Sequence, residues 1–321
     1  MKPKILLTGK NGQVGAELQR FLPQLGEVIA LGRQELDLSR PDDLRRMIRT
    51  VCPNLIVNAA AYTAVDQAEK EEAIARAINA DAPAVMAEEA KKSGAGLVHY
   101  STDYVFDGSK NSPYQETDPT NPLNVYGKTK LMGEQAIQET GAPHLIFRTG
   151  WVYATHGRNF LLTILRLATQ GSDELRIVSD QIGAPTLSRD IAWATTQILK
   201  RLYGRDDGLA YLTEMTGLYH MTSVGETTWY EFARAILEEA SRVPRSAPWF
   251  AAATGGRPFV ARRVIPIPTE EYPTRARRPA YSLLSNSHLT ETFGVQLPEW
   301  RMQLHSAFTD EDMSRSRPRE H

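Results

Sequence analysis

Tyr126 and Lys130 stand four apart in the run NVYGKTK, a spacing that places both on one helical face about one turn apart. A phenol titrates at about pH 10 in water, and a nearby cation favours the phenolate and brings the group toward neutral pH. The pair is therefore a candidate proton donor to a substrate oxygen. Upstream, Ser101, Thr102 and Asp103 follow the run GLVHY, placing two hydroxyls and a carboxyl where a strand should end. A third group opens the chain: Gly9, Gly12 and Gly15 form GxxGxxG directly after KILLT. Without side chains there, the backbone can turn sharply, a pyrophosphate can approach a helix N-terminus, and helix and strand can pack closely. A tight structural turn is the competing reading, since the spacing differs from the commoner GxGxxG. The flanking elements favour dinucleotide binding.

The elements that must carry these residues follow from hydrophobic period. KILLT reads as a buried parallel strand, and Val14, Leu18 and Leu22 share one face of the helix after it. EVIAL at 27–31 is a second strand. Where an acid would usually grip the adenosine ribose stand Gly32 and Arg33, and a guanidinium there can pair with a 2′-phosphate. NADPH is the expected cofactor, with NADH as the alternative. Further strands are read at 54–62, 96–101, 145–153 and 217–223, with helices between, the one bearing Tyr126 among them. This alternation predicts an α/β fold with a doubly wound parallel sheet and ligands at the carboxyl ends of its strands.

After Trp151 the pattern loosens. Helices are read at 159–169, 188–202 and 228–240, short strands at 175–180 and 264–267, and two short helices ending near 308. These later pieces, with no sheet of their own, are expected to form a smaller, discontinuous substrate lobe. The division predicted is a dinucleotide-binding domain from 1–155 and 186–223, a substrate lobe from 156–185 and 224–308, and a polar, disordered tail over 309–321.

Composition sets outer bounds. The 321 residues carry 37 Lys plus Arg against 38 Asp plus Glu, so nucleic acid and anionic membranes are not expected as main partners. The N-terminal apolar run is far short of a signal peptide or membrane span, which predicts a cytoplasmic soluble protein. The single cysteine, Cys52, excludes an intramolecular disulfide and is read as a small packed residue entering a strand.

Taken together, GxxGxxG, the strand-terminal Ser-Thr and YxxxK resemble the extended short-chain dehydrogenase/reductase superfamily. The runs VNAAAYTAVDQAE, VHYSTDYVFDG, PLNVYGKTKLMGE, FRTGWVYA, DQIGAPT and GLYHMTSVGETTWYEFA narrow the resemblance to the dTDP-4-dehydrorhamnose reductase family. That resemblance implies a Rossmann-like fold and reduction of dTDP-4-dehydro-6-deoxy-L-mannose at C4 to dTDP-L-rhamnose, the last step of dTDP-rhamnose biosynthesis. By family position Tyr126 is the general acid. Lys130 lowers its pKa and binds the nicotinamide ribose, and Thr102 hydrogen-bonds the carbonyl oxygen. Thr102, Asp103 and Trp151 match sugar contacts; Gly12, Gln13, Val14, Asp37, Leu38, Ala61, Tyr62 and Thr63 match cofactor contacts. The partners implied are a nucleotide sugar and, in some members, a second copy of the chain.

Other chemistries are disfavoured. GKT at 127–129 lacks the first glycine of a phosphate-binding P-loop, Pro122 standing there, and the histidines show no zinc-site spacing. Related dehydratases carry an acid after the equivalent Thr-Asp, where this chain has Tyr104. Some family members dimerise around magnesium; Glu17 matches one ligand position, but Arg189 stands where another acid is expected, so no metal is predicted. Within the basic cluster Arg257, Arg262, Arg263, Arg275, Arg277 and Arg278, one or more are expected to face a pyrophosphate, Arg263 being the weakest candidate. Two alternatives stay open: a reductase of another 4-keto sugar nucleotide, and a non-catalytic regulatory subunit retaining the fold.

Overall fold

The computed structural model describes residues 2–170, 173–203, 208–242 and 248–309. Of the tail expected over 309–321, Thr309 instead ends the Trp300–Thr309 helix, and the rest lies outside the described residues. Strands β1 (Lys4–Thr8), β2 (Glu27–Leu31), β3 (Leu55–Asn58), β4 (Gly96–Thr102) and β5 (His144–Thr149), with a sixth at Gly217–His220, form one sheet. Its order is β2, β1, β3, β4, β5 and Gly217–His220, and every pairing is parallel. The strand order reverses between β1 and β3. The crevice outside their carboxyl ends is the place such sheets keep for ligands.

Both faces of the sheet are covered, which is why its strands read as continuous apolar runs. On one face Ile5, Leu7, Val98 and Phe147 pack with Leu18, Leu22, Ile191 and Ile198; on the other Leu6, Ile56 and Ile146 pack with Leu44, Ile48, Val85 and Met86. A separate core joins Leu161, Leu165, Phe232, Ile236, Phe250, Trp300 and Phe308.

Four sequence expectations change. The later pieces do own a small sheet, because Glu174–Val178 pairs in parallel with Arg263–Ile267. Leu289, Phe293, Val295 and Leu297, grouped above with the lobe, pack instead into the core under β5. The strand read at 145–153 is broken: β5 ends at Thr149, Trp151 takes a positive φ of 48°, and Val152–Tyr153 pairs with Thr186–Leu187. Cys52 is exposed, with φ 48°, capping the Pro41–Val51 helix, so it turns the chain before β3 and does not pack inside it.

Candidate active site

Gly9 ends β1 with φ 78°, and a Cβ there would stand 2.6 Å from the Ala60 nitrogen. Only glycine lets this turn lie against the end of β3. Gly15 serves packing, since a Cβ on it would fall 2.0 Å from the Gly9 carbonyl oxygen. Between them Gly12 caps helix α1 (Gln13–Phe21) with no side-chain bond to its first amides. Those free donors at a positive helix end fit a pyrophosphate.

The turn opens into a cavity of about 1150 Å³. Of the predicted residues, Gly9, Gly12, Gln13, Val14, Arg33, Asp37, Leu38, Ala61, Tyr62, Thr63, Thr102, Asp103, Tyr126, Lys130 and Trp151 line it, and Gly15 does not. Arg33 is exposed at the β2 end. An acid does stand nearby, but Glu35 is held by the Gly32 amide at 2.9 Å and the Lys10 ammonium at 2.6 Å. The Ala61–Thr63 wall is fixed by Asn79, whose side chain accepts from the Tyr62 amide at 2.8 Å and donates to the Tyr62 carbonyl at 3.1 Å. Asn79 sits in a π-helical turn, Ala77–Asp81, a distortion common beside functional sites.

Tyr126 and Lys130 lie on the Val125–Thr140 helix, whose N-cap Asn124 accepts from the Gly127 amide at 2.8 Å. Their electrostatics differ from the sequence reading. Burial pushes the Tyr126 phenol well up, and the Thr102 hydroxyl pulls the other way. Burial brings Lys130 down to about 8, against a raising effect of Glu134. The Lys130 Nζ donates to the Tyr100 carbonyl at 2.6 Å and lies 3.1 Å from His99 Nε2. The cation expected to lower the phenol is thus engaged with the sheet, and Thr102 is the group that eases it.

Thr102 donates to Asp103 Oδ1 at 3.0 Å and accepts from the Tyr104 amide at 3.2 Å. Asp103 is buried, its carboxyl pushed up to about 6 by desolvation, and its Oδ2 has no hydrogen-bond partner. Ser101 also lines the cavity, but its hydroxyl donates to Glu134, which forms a buried bidentate pair with Arg148 at 2.9 and 2.6 Å.

The opposite wall holds residues the sequence reading did not assign. Trp151 stacks on Trp229 with ring centroids 3.4 Å apart and planes within 3°; a Cβ on Gly183 would stand 2.5 Å from the Trp151 ring. The Trp229 indole donates to Gln181 at 3.2 Å. Of the basic cluster only Arg278 lines the cavity, paired with Asp66 at 2.8 Å and set beside the Tyr104 phenol. Arg263 pairs with Glu174 instead. Arg158 and Arg176 also line the wall, Arg176 paired with Glu271. No shared periodicity marks these residues, because they come from separate elements: Trp229 opens a helix, Arg176 lies in a strand, and Trp151, Arg158, Gln181 and Arg278 lie between elements. Among the described residues, no helix is long and apolar enough to cross a membrane.

The profile of the family described as "RmlD substrate binding domain" matches residues 2–313. A dTDP-4-dehydrorhamnose reductase from Burkholderia thailandensis is 51% identical over 298 residues, covering 93% of this chain and 95% of that protein. One from Escherichia coli is 44% identical over 302 residues, covering 93% and 94%. The crystal structure of a dTDP-4-dehydrorhamnose reductase from Bacillus anthracis in complex with NADP superposes with a TM-score of 0.83 at 33% identity, covering 97% of this chain and 100% of that one. With its parallel sheet, glycine turn and shared cavity, the chain belongs to the dTDP-4-dehydrorhamnose reductase family.

Proposed function

We propose that this protein reduces dTDP-4-dehydro-6-deoxy-L-mannose at C4 to dTDP-L-rhamnose with a reduced nicotinamide, NADPH in preference to NADH. The observation that carries the reading is that Thr102, Tyr126 and Lys130 share one cavity with the Gly9–Gly12 turn. A nicotinamide supplies a hydride when bound; Gly12, Gln13 and Val14 would hold its pyrophosphate side, Arg33 the 2′-phosphate, and Lys130 the ribose. Asp37, Leu38, Ala61, Tyr62 and Thr63 line the remainder of that side.

Burial keeps Tyr126 protonated at neutral pH, which suits a general acid in the reducing direction. It delivers its proton to the C4 oxygen, and Thr102 turns its one hydroxyl proton from Asp103 to the same oxygen as alkoxide charge develops. Asp103 and the Trp151 ring position the sugar. Tyr104, against Arg278, occupies the place where a dehydratase needs an acid. Arg158, with Arg278, offsets the nucleotide diphosphate charge. The protein works as a cytoplasmic enzyme on a small nucleotide sugar, and a homodimer is compatible with that role.

The test is NADPH consumption by the purified chain with the dTDP-4-keto sugar generated in place by the enzymes upstream. Consumption only with a different keto sugar would change the substrate; none with any would sink the reductase reading.

A further inference from the structure

Behind Lys130 runs a buried polar chain that the proposed mechanism leaves unused. Thr8, Asn58, His99 and Lys130 are each at most 1% exposed. Thr8 Oγ1 donates to Asn58 Oδ1 at 2.7 Å, and the Ala60 amide donates to the same oxygen at 3.2 Å. A backbone N–H can only donate, so the atom it faces is the carbonyl oxygen of Asn58. The Asn58 amide nitrogen is therefore the atom 3.0 Å from His99 Nδ1. It donates, and Nδ1 accepts. A fully buried imidazole beside a lysine stays neutral and carries one proton, and that proton is left on Nε2. Nε2 lies 3.1 Å from Lys130 Nζ.

We propose that Asn58 and His99 form a relay that aims an N–H at Lys130, favouring its amine form over its ammonium in the free protein. An amine accepts from His99 Nε2–H while donating to the Tyr100 carbonyl, and every group in the chain is satisfied. An ammonium has no lone pair. To accommodate it, His99 must move its proton to Nδ1, which then faces the Asn58 amide hydrogens, or Asn58 must flip and strand the Ala60 N–H. Either way one donor is left facing another, at the cost of an unmade buried hydrogen bond. His99 is thus a positioning residue: it acts on cofactor and substrate only through Lys130.

The other charged groups do not reproduce this effect. Glu134, one turn after Lys130 on the same helix, favours the ammonium but is itself paired with Arg148 from β5. Tyr126, one turn before, is a neutral phenol. His144 is the remaining titratable neighbour acting on His99. The inference rests on the reductase reading only for what Lys130 is used for, and not for the hydrogen-bond pattern.

The experiment uses the full chain without cofactor. In long-range proton–nitrogen spectra of histidine-labelled protein, His99 is expected to bear its proton on Nε2 at pH values above the Lys130 midpoint, where the amine predominates; a proton on Nδ1 there overturns the proposal. Carbon shifts of the Lys130 side chain give its titration midpoint, expected at or below about 8. Asn58→Asp accepts from His99 Nδ1–H and reverses the tautomer; His99→Gln can turn its own carbonyl oxygen to an ammonium. Each variant should raise the midpoint by about one unit or more, and unchanged midpoints in folded variants overturn the relay. The tautomer measurement needs no variant. Because neither readout involves turnover, a chain with no reductase activity leaves the relay standing, and a failed relay leaves the reductase reading intact.

Discussion

The two walls of the cavity are built differently. On the cofactor wall the sharp turn falls on Gly9, where positive φ carries no strain, and the pieces that meet follow directly on β1, β2 and β3. On the substrate wall a tryptophan, Trp151, takes φ 48°, and Asp103 Oδ2 and Arg278 Nη1 are buried without partners. Positive φ at a bulky residue and orphaned polar atoms each cost about 1–3 kcal/mol. One wall is relaxed and local; the other is strained and gathered from distant parts of the chain. Such costs persist where a ligand supplies the missing contacts.

Four measurements would break or sharpen that contrast, beginning with the largest effect. Tyr126→Phe removes the proton donor between the walls and should lower kcat by about 10²–10⁴-fold with NADPH binding kept; near-normal turnover would remove the proposed acid. Asp103→Asn probes the cost held in the substrate wall. Its carboxyl is raised from 3.8 to about 6 in the folded protein, so the fold binds this proton more tightly than the unfolded chain. The stability it gives is complete below about pH 4 and lost as pH rises through about 6. At pH 7 the variant should be more stable than the parent by up to about 3 kcal/mol, and equal to it near pH 4. Urea unfolding at both pH values checks this, and a constant difference would mean that the buried carboxylate carries no such cost.

Arg33→Ala addresses the cofactor wall alone. It should raise the NADPH KM about 10–100-fold with little change for NADH; an unchanged ratio of the two would withdraw the 2′-phosphate assignment. The smallest expected effect is that of Trp229→Ala, which unstacks Trp151. A rise of about tenfold in the nucleotide-sugar KM, with the NADPH dissociation constant unmoved, is expected. If both constants shift together, the walls are coupled and the contrast fails.

The two walls were also unequally legible. Gly9 and Arg33 could be placed from sequence because each follows a strand of recognisable period, and a strand end is where such sheets hold ligands; Ala61–Thr63 were named by family likeness, the strand read over 54–62 ending in fact at Asn58. Trp151 could be named by family likeness, but its left-handed turn and its stacking on Trp229 could not. The run LIFRTGWVY is apolar at both ends and reads as one strand, and Gly150 is the single residue that signals the break after Thr149. Cys52 misled for a related reason: an apolar neighbour suggested burial, whereas the chain needed a left-handed residue to leave a helix.

The sequence by itself determined the layered sheet, the glycine turn and the Tyr126–Lys130 face, since those depend on residues near one another along the chain. The tertiary structure decided what surrounds them. A phenol and an amine four residues apart suggest one pKa argument in water. Burial, the Tyr100 carbonyl and the Asn58–His99 chain produce another, because desolvation and the direction of a buried hydrogen bond depend on groups that only folding brings together.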